Sequence, residues 1–163
     1  WLAPLLPEPS RTLLTSELTF QQQLTASMAY SALPRGATHG DLFRDNVLFD
    51  EDRLTGLLDF YFAATDSFLF DLCVCLNDWC CEPDGSLQTE RAAAFVSAYE
   101  RVRELSSLER ELTPACLRAA ALRFWITRLV DVHRPRDASL LEPHDPTQFE
   151  RILQRRVAEP WQP

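Results

Sequence analysis

The stretch His39-Gly-Asp-Leu-Phe-Arg-Asp-Asn-Val-Leu-Phe49, with Leu58-Asp59-Phe60 shortly after it, decides how this 163-residue chain is read. It sets a candidate base at Asp41 and a side-chain amide at Asn46, five residues later. Val47-Leu-Phe49 and Leu54-Thr-Gly-Leu-Leu58 predict two short strands, and the polar link Asp50-Glu-Asp-Arg53 has hairpin length. Such a hairpin returns Asp59, thirteen residues beyond Asn46, toward the other two side chains. One amide and one carboxylate suit a hard divalent cation that keeps its remaining places for phosphate and water. Asp41 is the candidate for orienting a hydroxyl and accepting its proton. His39-Gly-Asp41 alone is a weak signal, because an Asp that merely caps a turn reads the same way. Asn46, the strand directly after it and Asp59 together make the pattern specific.

Outward from this stretch the chain reads as helices. Ser67 to Cys81 is apolar on nearly every side, which predicts a buried helix. Asp71 and Asp78 lie seven residues apart on it, hence on one face and ~10 Å apart. Upstream, the Pro-rich residues 1–11 read as a linker. A helical pattern opens at Ser16-Glu17 and stops at Pro34-Arg-Gly36, and Thr38 to Asn46 reads as a loop. Downstream, Phe60 to Asp66 is an aromatic turn, and 88–105 is an amphipathic helix. Thr113-Pro114 has N-cap chemistry for a helix running to Val132. Residues 134–146 read as a loop, and Asp145-Pro146 opens a last helix with Phe149, Ile152, Leu153 and Val157. The expected fold is a single α+β domain over 1–163, mainly helical, with one small β-hairpin.

Composition narrows the partners. The formal charge is -8 with no basic tract, which argues against nucleic acid. No run of about eighteen apolar residues predicts a membrane span, and the start lacks the basic residues of a secretory signal. The five cysteines are odd in number and lack neighbouring histidines, so they read as buried reduced thiols of a cytoplasmic protein rather than zinc ligands. The opening on Trp1 suggests a chain that begins in mid-protein.

The run His39-Gly-Asp-x4-Asn46…Asp59 resembles the aminoglycoside phosphotransferase and choline kinase superfamily, relatives of the protein kinases. The blocks HGDLFRDNVLF, LDFYFA, DLCVCLNDWC, ALRFW and DPTQFERIL, from about 38 to 157, look like its homoserine kinase branch. The resemblance implies ATP- and Mg²⁺-dependent phosphorylation of L-homoserine to O-phospho-L-homoserine, a step toward threonine. It matches Asp41 to the catalytic Asp, Asn46 and Asp59 to the metal ligands, and Asp71 to a buried Asp that holds the catalytic loop. His39 is expected chiefly to fix the loop. Arg44 either approaches the γ-phosphate or is a solvated loop residue. Kinases of this kind also carry a phosphate-covering Gly-rich loop and a strand Lys. The sequence has four Gly, none in such a loop, and sixteen Arg but no Lys. The expectation is therefore a C-terminal lobe without its nucleotide-binding N-terminal lobe, inactive alone and bare of cover along the first helix and the hairpin edge.

Homoserine is a zwitterion, so its site should offer an anion to the ammonium and a cation to the carboxylate. Asp78, with Trp79 as a wall, is the candidate for the first. Arg123 either pairs with Asp71 or Asp78 or binds the carboxylate. Arg128 and Asp131 are spaced for a helical ion pair. An aminoglycoside or a choline-like alcohol is the alternative acceptor, with Asp66, Asp71, Asp78 and Glu82 available to line a cationic pocket. A non-catalytic binding fragment is a third reading.

Overall fold

The computed structural model describes residues 1–134 and 144–163. Its core is three helices: α3 (Phe68–Trp79), α5 (Ser107–His133) and α6 (Thr147–Ala158). On helix α3, Leu69, Leu72, Cys73, Val74, Cys75 and Leu76 are all buried. It packs on α5, whose buried Cys116, Leu117, Ala120, Ala121 and Trp125 share one core with it. Asn77 is the polar residue of α3 buried among them. Its amide donates to the Leu117 carbonyl at 2.8 Å, and its oxygen accepts from buried Arg156 of α6 at 2.9 Å, so both buried side chains are hydrogen-bonded. Phe149, Ile152 and Leu153 close the core from α6.

Helix α5 begins earlier than Thr113-Pro114 suggests. Ser106 and Glu109 form a reciprocal capping box, and Pro114 lies inside the helix. The Thr113 hydroxyl donates back to the Glu109 carbonyl at 2.8 Å instead of capping. Helix α1 (Glu8–Thr25) likewise starts inside the supposed linker, because Pro in the first turn costs no hydrogen bond. It ends before Ser27, whose side chain caps the short α2 (Met28–Ser31). Arg118 of α5 grips the buried Glu17 of α1 with two nitrogens while its guanidinium carbon sits 3.7 Å over Phe20. Helix α4 (Thr89–Glu100) covers a flank through Ala92 and Val96. No described helix is long and apolar enough to cross a membrane.

Two antiparallel pairs complete the fold. The predicted hairpin is β2 (Val47–Asp50) with β3 (Arg53–Leu57). The second pair was not visible in the sequence: β1 (Arg35–Thr38) lies against β4 (Ala64–Ser67), so a strand begins within the helix stop Pro34-Arg-Gly36 and another at the end of the aromatic turn. Gly36 is required in β1, because a Cβ there would meet the Phe68 ring at 2.2 Å.

Candidate active site

The β1–β4 ladder fixes where the chain leaves the sheet, and α3 fixes the path it then takes. The Asp71 carboxylate, in the first turn of α3, accepts the backbone N–H of His39 at 3.1 Å and of Gly40 at 2.7 Å. Two turns on, Trp79 donates its indole N–H to the Leu42 carbonyl at 3.0 Å. Asp78 accepts from the Arg44 amide at 2.8 Å and from Arg44 Nε at 3.2 Å. One helix thus holds residues 39–44 at their beginning, middle and end. Gly40 makes the turn at φ +76°, where a Cβ would lie 2.8 Å from the Phe62 carbonyl oxygen.

His39 is buried and both ring nitrogens are engaged. Nε2 bonds the Leu58 carbonyl at 2.8 Å, and Nδ1 accepts from the Asp41 amide at 3.3 Å. That pair of bonds places the proton on Nε2. The imidazole therefore ties the loop to the end of the hairpin, where Asp59 follows.

Asp41, Asn46 and Asp59 come together at this junction. Asn46 turns its Nδ2 onto the Asp41 carbonyl at 2.7 Å, which leaves the amide oxygen facing away as an acceptor. Its own carbonyl takes the Leu58 amide at 2.9 Å and so joins the loop to the returning strand. Asp59 sits in the left-handed region at φ 56°, which Asp tolerates better than most residues, with one oxygen accepting from Tyr61 N at 3.4 Å. Burial pushes the Asp41 carboxyl up from its ordinary value; the Arg123 guanidinium opposes this and the Asp59 carboxylate adds to it. The donor set fits Mg²⁺: the Asn46 amide oxygen and the Asp59 carboxylate are hard oxygens that can share an ion with phosphate and water.

Arg123, half-buried, pairs with neither Asp71 nor Asp78 in the way its apolar helix face suggests. It donates to the Gly40 carbonyl and lies between two rings, 4.9 Å from Phe62 and 4.7 Å from Phe124. Burial lowers its pKa, countered by Asp41, Asp66 and Asp71. Arg128 does not use the helical pairing with Asp131. It donates to the Asp145 carbonyl at 3.1 Å and to Gln148 Oε1 at 2.7 Å. The four carboxylates that could line a cationic pocket all have partners within the chain. Asp66 lies 3.7 Å from Arg35 and Glu82 lies 3.7 Å from Arg91, while Asp71 and Asp78 hold the loop.

One part of the site was scarcely marked in the sequence. Phe43, two residues past Asp41, stacks with Phe124 at 4.6 Å and Phe149 at 5.9 Å, and the latter two are 5.2 Å apart. An aromatic residue inside a polar loop was the only hint of this cluster, which welds the loop to α5 and α6.

Residues 1–105 match the model described as the phosphotransferase enzyme family. The chain is 54% identical over 159 residues to a homoserine kinase of Polaromonas naphthalenivorans, covering 97% of this chain and 50% of that protein. It is 51% identical over 162 residues to a homoserine kinase of Cupriavidus pinatubonensis, covering 96% of this chain and 49% of that one. The chain spans about half the length of the curated relatives it matches. Among solved structures, an ethanolamine kinase of Plasmodium vivax superposes with a TM-score of 0.61 at 14% identity, over 93% of this chain and 40% of that one. That likeness is one of fold: mainly helical α+β, protein kinase-like, with small sheets.

Proposed function

This chain belongs to the phosphotransferase enzyme family, and on that premise we propose that it is part of an ATP-dependent homoserine kinase about as long as those relatives, its full-length parent. The chain supplies the C-terminal lobe, with the acceptor site and the metal-binding side chains. Asp41 takes the proton of the acceptor hydroxyl as its oxygen bonds the γ-phosphorus and the bond to the β-phosphate oxygen breaks. Burial makes Asp41 a better proton acceptor than a surface Asp. Asn46 and Asp59 hold Mg²⁺, which when bound neutralises charge on the transferring phosphoryl group. Asp71 and His39 keep these groups in register.

The observation that carries the reading is the backbone path: a loop held by Asp71, Trp79 and Asp78 so that Asp41, Asn46 and Asp59 converge. Homoserine as the acceptor rests on about 50% identity to homoserine kinases. The pairing of Asp66, Asp71, Asp78 and Glu82 within the chain weighs against a polycationic aminoglycoside. The apolar side chains left exposed at the hairpin and the turn after Asp59 (Phe49, Leu54, Phe60 and Phe62) offer a seat for the other half of the protein.

The test is ADP release by the full-length parent with Mg-ATP and, separately, L-homoserine, choline and kanamycin. Turnover with homoserine well above the other two is expected, and no turnover with homoserine overturns the substrate assignment. The 163-residue chain alone should turn over none of them.

A further inference from the structure

We propose that Arg128 is a specificity-determining residue whose guanidinium receives the carboxylate of an amino-acid acceptor while the acceptor's hydroxyl lies at Asp41. The inference rests on the phosphotransfer reading above and adds the means by which an amino acid is told from an amino alcohol.

Three features set Arg128 apart from the other arginines near the loop. Arg44 is held by Asp78, and Arg123 is committed to the Gly40 carbonyl between two aromatic rings. Arg128 has only neutral oxygens as its hydrogen-bond acceptors, the Asp145 carbonyl and Gln148 Oε1, and among the described residues no carboxylate lies within ion-pair distance. Both contacts use Nη1, leaving the second edge of a planar fork whose shape matches a carboxylate.

Its position points the same way. The guanidinium carbon sits 4.4 Å over the Phe149 ring, which holds the cation in place without neutralising it. Phe149 stacks with Phe43, and the Phe43 amide donates to the Asp41 carbonyl at 2.8 Å. A short rigid path therefore connects Arg128 to the proposed base. Burial lowers the Arg128 pKa, and the carboxylates of Asp145, then Asp78 and Asp41, oppose that, so its charge feels the loop's acidic side as well as Asp145. A zwitterion bridging from Asp41 to Arg128 would bring its carboxylate to a cation with no carboxylate within ion-pair distance among the described residues.

The experiment compares two acceptors in the full-length parent: L-homoserine, and 3-aminopropan-1-ol, the same skeleton without the carboxylate. Where the alcohol turns over too slowly, its inhibition constant against homoserine replaces KM. Arg128→Gln should raise KM for homoserine roughly 10- to 100-fold, the loss expected for a charge-assisted fork. The constant for 3-aminopropan-1-ol should not move, and Arg128→Lys should fall between Gln and wild type for homoserine. Equal losses for both acceptors would show that Arg128 only pins α6 to α5, and an unchanged KM for homoserine would show that it does not meet the substrate. Either result overturns the proposal. If wild type accepts neither compound, the phosphotransfer reading itself fails, a result distinct from the other two.

Discussion

Where α3 faces α5 and α6 its side chains are apolar and buried; where it faces residues 39–44 it offers two carboxylates and an indole N–H. The first face is stabilised by area removed from water, spread over many contacts and tolerant of small shape changes. The second depends on a few directional bonds, each of which sets the position of one backbone segment. The core can lose a methyl group and still present the loop. The loop cannot lose Asp71 and stay in register. The proposed chemistry sits on the face where single atoms decide position.

Substitutions should separate the two faces. Asp41→Asn in the full-length parent should lower kcat by on the order of 10²–10⁴-fold with no loss of melting temperature, since the proposed base goes while the loop bonds stay. Leu117→Ala removes a fully buried side chain between α3 and α5 and should cost about 2–5 kcal/mol of stability by chemical denaturation. The kcat of its folded fraction should stay near wild type. Asp71→Asn lies between these: losing the charge that accepts two amides should cost about 1–3 kcal/mol and also lower kcat, coupling the faces. If Asp71→Asn affected stability alone, the loop would be held by something other than α3.

The smallest effect is on pH dependence. The Asp41 carboxyl is raised in the fold, so the stability linked to its proton is fully present below the ordinary value of 3.8. That stability is lost as pH rises through the raised value. Asp41→Asn removes this loss, so the variant's melting temperature relative to wild type should be higher at pH 7 than near pH 3.5. A gap that does not change with pH would contradict the burial of Asp41.

The same contrast explains what the sequence disclosed. Helix α3 was legible because its buried face leaves a long, mostly apolar run, and the hairpin because two short apolar strands flank a polar turn. The strands Arg35-Gly-Ala-Thr38 and Ala64-Thr-Asp-Ser67 hid because four residues with no apolar alternation carry no periodic signal. Pro114 drew the start of α5 too late, although the Ser106…Glu109 capping box was there to be read. At the site, the spacing of Asp41, Asn46 and Asp59 was legible because the residues are near in sequence. The partners were not. That Asp78 holds Arg44, that Arg123 reaches the Gly40 carbonyl and that Phe43 meets Phe149 all depend on contacts between segments far apart in the chain.

The division of labour at the loop is the central claim, and a magnesium titration of initial rates tests it most directly. The full-length parent, Asp41→Asn and Asp59→Asn would each be assayed with ATP and L-homoserine. Asp59→Asn should need far more Mg²⁺ for half-maximal rate and recover partly in excess, while Asp41→Asn should keep the wild-type Mg²⁺ dependence at a much lower plateau. A wild-type plateau in Asp41→Asn, or an unchanged Mg²⁺ dependence in Asp59→Asn, would contradict it.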